Sequence, residues 1–436
     1  MSSPAPESPA PVAASTEYAR DLIRPTPSRR LKWRLEVAGF VVMEAFLGLL
    51  PLPWVAAAGR VAGGVACLVL PKRRRVVARN LRIAFADEKT PAELRALTSE
   101  VFRRTGANLL CSLRTGDMGE RSLARAITVR DEHVYREALA RNKGVVIVLA
   151  HMGNWEALAQ WFPKLLPPGV AGATVYRPLN NPLMNARVAV TRARRGVGLF
   201  SKDDNPLGMA GFVRRGGVLG VLADQRAGII GELVPFFGRL TSCTPIPAIL
   251  ARRTGAAIVG VSLRTVGAGR WELGFHAAES GEPTTAGVMR LLERMVRVSP
   301  ADVFWLQDRW KIRRREPHLL PGKPAREGDA APGKRRRALL WVAAGGGVPQ
   351  APEARPADVD YELALAENAP APDGFASVET HRQAGESHAA FLRRVDEAHG
   401  QPLEFVVGTR AAPADLRNAC KELGLGWSNA VEEASR

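Results

Sequence analysis

Residues 143–161 read KGVVIVLAHMGNWEALAQW. The run VVIVL, residues 145–149, is continuous and β-branched, as expected of a strand buried on both faces. MGN supplies a turn, and WEALAQW resumes the apolar residues at helical spacing. A buried strand that passes through a short turn into a helix is the building unit of a parallel sheet. His151 stands at the C-terminal mouth of that strand, where open α/β sheets present ligands and reacting groups. Glu156 follows five residues later. On one continuous helix that spacing would set the two about 140° apart. With His151 in the turn and Glu156 in the first helical turn, the two can meet. A carboxylate at one imidazole nitrogen fixes the tautomer and stabilises the cation, leaving the other nitrogen to take a proton. The pair alone reads as well as a strand-end histidine beside a solvated helix glutamate.

The same alternation extends outward. GATVYRP, GGVLGVLAD and AAIVGVSLR are strand-like, and NPLMNARVAVTRARRG and IPAILARRTG between them are helix-like. Residues 141–320 are therefore expected to form an α/β core, a mostly parallel central sheet with flanking helices. Residues 28–140 read as a helical lead-in. Within it, TPAELR opens a helix with Thr90 as N-cap, Pro91 at the first helical position and Glu93 at the third. The segment 35–70 is apolar but interrupted by Glu36, Glu44 and Arg60 and divided by Pro51 and Pro53. A spanning helix asks for about 20 apolar residues free of charge, and no window here meets that. Two shorter helices meeting near Pro51 fit better. Flanking RRLKWR (29–34) and PKRRRVVARNLR (71–82) suit anionic headgroups, so this is expected to be a membrane-associating segment. Core packing, an interfacial anchor and a span all remain open.

Residues 1–27, rich in Pro, Ala and Ser, are expected to be disordered and lack the basic-then-apolar order of a signal peptide. At the other end, residues 321–337 form a basic linker, and 338–436 read as a small α/β module of unknown role. The net charge of +18 is uneven: residues from Ala338 onward carry −7 and the remainder +25. Such an excess attracts polyanions, whether nucleic acid, an anionic membrane or an acidic protein. Cys67, Cys111, Cys243 and Cys420 are too scattered for a disulfide framework or a metal site and read as buried or free thiols. The sequence holds no GxSxG, no HExxH and no P-loop, which removes the usual serine hydrolases, zinc peptidases and nucleotide enzymes. It has no Cys/His finger or RNP-like aromatic segment either, so a nucleic-acid partner is not expected. A non-catalytic basic protein that binds membranes remains as the alternative class.

Five blocks in order carry a resemblance: AHMGNWE, YRPLNNP (176–182), RRGGVLGVLADQRAG (214–228), VPFFGR (234–239) and FWLQDRWKIR (304–313). With the upstream LPKRRRVVARNLRIAF, they resemble the lipid A biosynthesis acyltransferases, a branch of the lysophospholipid acyltransferase-like superfamily, over roughly residues 30–315. The resemblance implies transfer of a fatty acyl chain from acyl carrier protein thioester to a hydroxyl of a lipid A precursor or related glycolipid, at the cytoplasmic face of a bacterial inner membrane. A phosphatidylinositol mannoside or other glycolipid acceptor, with acyl-CoA as donor, is the alternative. It further implies His151 as general base with Glu156 as its partner. Arg177, beside Tyr176, would meet an acceptor phosphate or the developing oxyanion. Asp224 and Gln225 would bond the acceptor or position Arg177. Gly153 and Asn154 would shape the turn, with Asn154 also able to donate to the acceptor. No metal or cofactor is implied beyond the acyl donor. The tail past Lys323 has no counterpart in the resemblance.

Overall fold

A computed structural model describes residues 25–193, 196–313, 316–325, 333–344, 347–367, 369, 379–409 and 412–431. The disorder expected over 1–27 lies almost wholly outside them, as do part of the 321–337 linker and the arginine pairs 194–195 and 314–315. The chain divides into two compact units. One comprises the chain up to Arg74 with Ala96–Gln225 and Thr244–Phe304, and the other comprises Arg75–Arg95, Arg226–Cys243 and Trp305 onward.

In chain order the helical lead-in holds α1 (Pro27–Gly48), α2 (Leu52–Val69), α3 (Pro71–Phe85), α4 (Pro91–Thr115) and α5 (Glu120–Ala126). There follow β1 (Ile127–Arg130), α6 (Glu132–Ala140), β2 (Val145–Leu149), α7 (Trp155–Trp161), β3 (Gly172–Tyr176), α8 (Pro182–Ala193) and β4 (Gly198–Ser201). Next come α9 (Pro206–Arg214), β5 (Val218–Leu222), β6 (Glu232–Phe236), β7 (Arg239–Cys243), α10 (Ile246–Thr254), β8 (Ala257–Gly267), β9 (Arg270–Ala277) and α11 (Thr285–Val298).

The first unit is built on a seven-stranded sheet of order β1-β9-β8-β2-β5-β3-β4. Its pairs are parallel except β8–β9, an antiparallel hairpin. Strand β2 shows why the sequence run is continuous. Val145 and Ile147 face one apolar cluster with Tyr135, Leu158 and Trp271, and Val146 faces another with Met209, Phe212 and Leu250. A period of two with both faces covered leaves no polar position on the strand.

The apolar segment 35–70 is two helices broken at Leu49–Pro51. Helix α1 buries Trp33, Glu44 and Leu47 and leaves most of its large apolar residues exposed. Glu44 is buried and ion-paired to Arg187 of α8, and Glu36 accepts from Asn181 Nδ2 at 2.8 Å. Leu31, Leu35, Val42, Met43, Phe46 and Leu49 are exposed. Helix α2 is, among the described residues, the one long and apolar enough to cross a membrane by length and composition. It packs on α4 backbone to backbone. A Cβ on Gly59 would lie 2.6 Å from Gly106 O, and one on Gly63 would lie 2.1 Å from Phe102 O. This is the close approach that a Gly-x3-Gly spacing allows. Arg60 reaches Glu100 of α4 at 2.8 Å, which accounts for the charge in the apolar run.

In the second unit, β6 and β7 form a hairpin whose two-residue turn, Phe237–Gly238, has φ +50° and +76°, the primed geometry that suits strand twist. Phe85, Phe236, Phe237, Trp305 and Trp310 pack edge-to-face and stacked around it. The short β10 (Lys323–Pro324) adds beside β6. Beyond it lie β11 (Arg336–Val342), β12 (Val359–Leu365), β13 (Glu379–His381), α12 (His388–Glu397), β14 (Leu403–Gly408), α13 (Ala414–Leu423) and β15 (Gly426–Asn429). Their sheet is all parallel, in the order β13-β12-β11-β14-β15. The four cysteines are all buried and free.

Candidate active site

Strands β2 and β5 are parallel neighbours, paired from Val145↔Val218 through Leu149↔Leu222. Each continues for two residues past that last pair, the ladder extended by Ala223 N–H donating to Leu149 O at 2.9 Å. The equal offset brings His151 opposite Asp224. His151 Nδ1 and Asp224 Oδ1 are 2.8 Å apart, with the two side chains only 19% and 9% exposed. Burial pushes the His151 pKa down, but the Asp224 charge and hydrogen bond, helped by Glu156, outweigh it, so the imidazole titrates above its ordinary value. Asp224 shifts the opposite way: burial raises it and the histidine more than compensates, leaving it below the usual carboxylate range.

The turn that carries His151 is held from below. Gly153 takes φ +59°, and a Cβ there would sit 2.3 Å from Leu263 O, so a side chain fits neither the backbone nor the space. Gly153 N–H donates to Asp302 O and Phe304 N–H donates to His151 O, while Met152 and Val303 form a bridge. Asp302 is itself fixed: its buried carboxylate accepts from Arg104, Ser299, Asn108 and both the amide and hydroxyl of Thr265. Trp155 stands edge-on to the imidazole at 5.2 Å between ring centroids, and Phe304 packs behind Trp155.

Glu156 is near but engaged elsewhere. Its two oxygens take Arg192 Nη2 at 2.5 Å and Nε at 2.9 Å, and Trp155 Nε1 at 3.2 Å. The carboxylate that orients the imidazole is therefore Asp224 and not Glu156, which acts on His151 through space. Arg192 is half-buried, and the carboxylate of Glu156 overcomes that burial to hold its pKa above the ordinary value, with Tyr176 adding to the effect. Gln225 Nε2 lies 3.4 and 3.3 Å from the two imidazole nitrogens. Asn154 is buried; its Nδ2 donates to Thr115 Oγ1 at 3.0 Å, and its Oδ1 has no partner among the described residues. Tyr176 ends β3, which pairs with β5 on the side away from β2, and Arg177 follows it, exposed and without a hydrogen-bond partner among the described residues.

His151, Asp224 and Gln225 thus come together at the C-terminal ends of adjoining strands, with the Glu156–Arg192 ion pair as a second, charged layer. Arg192 and Asp302 were the residues that sequence reasoning missed. Arg192 lies in the basic run TRARRG, which by itself looks like a solvated helix face. Chemically, the arrangement offers one poised imidazole, one buried carboxylate behind it, and no side-chain nucleophile between them. It can move a proton from a hydroxyl that approaches Nε2.

Comparison with known proteins points to one family. A family described as bacterial lipid A biosynthesis acyltransferases matches residues 27–312. The lipid A biosynthesis lauroyltransferase of Escherichia coli (strain K12) is 26% identical over 273 residues, covering 61% of this chain and 87% of that protein.

Proposed function

The chain belongs to the bacterial lipid A biosynthesis acyltransferases, and from that premise we propose that it moves a fatty acyl chain from acyl carrier protein thioester to a hydroxyl of a lipid A precursor, with His151 as general base. The single observation that carries the reading is the His151–Asp224 pair, 2.8 Å apart at the ends of neighbouring strands.

The steps follow from that pair. Asp224 accepts the Nδ1 proton, so Nε2 holds the free lone pair. The acceptor hydroxyl gives its proton to Nε2 as its oxygen forms a bond to the thioester carbonyl carbon. Asp224 stabilises the imidazolium so formed. When the tetrahedral intermediate collapses, the C–S bond breaks, the thiolate takes the proton back from Nε2, and an ester and a free thiol leave. The developing oxyanion calls for donors; Arg192, kept charged by Glu156, and exposed Arg177 are cations on the strand-end side of the sheet that could supply them. Two carboxylates therefore have two tasks, Asp224 toward the base and Glu156 toward Arg192.

Attachment to the inner membrane belongs to the same proposal. The outward faces of α1 and α2, including Phe46, Leu49, Trp54, Val61, Val65 and Leu68, are exposed apolar surface of the kind that enters a bilayer interface. A surface-lying anchor would bring the α/β core to a lipid acceptor without a soluble carrier.

The test is a radiolabelled acyl-transfer assay on purified membranes, pairing acyl carrier protein thioesters and acyl-CoA of several chain lengths with a panel of glycolipid acceptors. Ester formed on a lipid A precursor from the carrier-protein donor is the expected result. Transfer only to a different glycolipid, or only from acyl-CoA, overturns the substrate assignment.

A further inference from the structure

The β6–β7 hairpin of the second unit borders a small cavity of about 10 Å³, lined by Arg226, Arg239, Thr241, Ser242, Lys311 and Arg336 among others. Space of that size admits about one oxygen-sized group. What the lining offers it is one-sided. Arg239 is 1% exposed, and its Nη2 donates to Glu404 Oε1 at 2.5 Å. Its Nη1, equally buried, has no partner among the described residues. A buried donor left unpaired costs about 1–3 kcal/mol, and more on a charged group, so an empty position there is unfavourable.

The anions around it are already taken. Glu404 is shared, because Arg79 Nη2 donates to its other oxygen, and Arg79 Nη1 also holds Asp308 at 2.9 Å. Burial first, then Arg79 and Arg336, work against the charge on Arg239 and bring its pKa down to about 10 despite Glu404. Arg336 is largely committed: four of its five N–H donors go to the two oxygens of Asp358 and to the carbonyls of Pro317 and His318. The two hydroxyls are committed as well, Ser242 Oγ to Gly228 O and Thr241 Oγ1 to Arg309 O at 3.0 Å. Arg226, half-buried, and Lys311, exposed, make no hydrogen bond to a described residue. None of the lining residues carries a carboxylate. The unspent chemistry of the cavity is therefore cationic N–H donors, a set that rejects metal ions and suits an oxyanion.

We propose that this cavity is a phosphate-group site, in which one phosphate oxygen enters to meet Arg239 Nη1 and the remaining oxygens are met by Arg226 and Lys311. Arg226 stands two residues beyond Asp224 in the chain. The phosphate is that of a phosphorylated lipid headgroup or a free phosphate ion. The lipid source rests on the acyl-transfer reading above, whereas phosphate binding does not.

The experiment uses the full-length protein in detergent and compares it with the double variant Arg226→Gln/Lys311→Gln, which leaves the Arg239–Glu404 cluster untouched. Inorganic phosphate is titrated at constant ionic strength while the melting temperature is recorded. At ten times the dissociation constant a rise of about 2–4 °C is expected for the wild type, and none for the double variant. No rise with phosphate in the wild type, as when a water molecule satisfies Arg239, overturns the proposal. So does an equal rise with chloride, or an equal phosphate response in the double variant. The source is read kinetically. If it is the headgroup, the double variant raises KM about tenfold for a phosphorylated acceptor, leaves a dephosphorylated one unchanged, and phosphate competes with the former. If it is free phosphate, the melting response stands and KM is the same for both. Failure to observe any acyl transfer would defeat the functional reading and leave the melting result to decide the site alone.

Discussion

Replacing Asp224 with Asn keeps the shape of the side chain and removes its charge, so it tests the orienting role with little disturbance to packing. The bond lost is a charge-assisted one, 2.8 Å long and mostly buried. Hydrogen bonds to charged groups contribute about 1.5–3 kcal/mol net, and this one strengthens as the imidazole gains a proton in the transition state. Spent on the barrier, that range lowers kcat/KM about 10- to 150-fold. The pH profile supplies a second, independent readout. Asp224 is the chief influence that lifts the His151 pKa against burial, and the base works only when neutral. The acid limb of kcat/KM should therefore move to lower pH in Asp224→Asn as the rate on its plateau falls. The stability signs agree. The raised pKa of His151 contributes stability that is full below its unfolded value and is lost as pH rises through the folded one. The depressed pKa of Asp224 contributes stability that is present above its unfolded value and is lost as pH falls through the folded one. The melting temperature of wild type should thus exceed that of Asp224→Asn most between about pH 4 and 6.5, and by less in alkali. An unchanged acid limb with unchanged kcat/KM would refute the role of Asp224.

Glu156→Gln should move the acid limb in the same direction but by less, since Glu156 influences His151 only through space; its main loss should appear in kcat, measured on the plateau, as Arg192 loses its counter-charge. Gly153→Ala should lower the melting temperature and reduce transfer together, because the added Cβ meets Leu263 O at 2.3 Å in a left-handed backbone. That strain costs about 1–3 kcal/mol before any clash is counted, and thermal melting with single-point activity checks it. Phe46→Ser combined with Trp54→Ser should weaken binding to anionic vesicles at least about tenfold in a flotation assay, given about 1.5–3 kcal/mol per large apolar side chain buried, while acyl transfer to a detergent-dispersed acceptor is retained.

How much of this was open to sequence reading depends on chain separation. VVIVLAH and VLGVLAD each announce a buried strand ending in a polar residue, so His151 and Asp224 were both placed correctly at strand ends. Which strands are neighbours is a different matter. β2 and β5 are joined by a long stretch holding two other strands, and nothing local in the chain says that they pair in register. Glu156, five residues from the histidine, was therefore the visible partner, and Asp224, 73 residues away, was not. The same limit hid the reason for the acidic residues in α1. Glu36 and Glu44 look like interruptions of an apolar helix until Asn181 and Arg187, about 145 residues downstream, are seen to receive them. The break at Pro51, by contrast, was legible because proline acts locally. Asn154 shows the same limit: a polar residue in an active-site turn invites a substrate, and only the packed helix α4 shows that its Nδ2 donates to Thr115.

The most direct test of the central claim is the acyl-transfer rate of His151→Ala beside wild type, with circular dichroism and melting recorded to confirm the fold. Loss of a positioned general base predicts a fall of about 10²- to 10⁴-fold in kcat/KM with the secondary structure intact. A folded His151→Ala protein that transfers acyl chains at the wild-type rate would contradict the account.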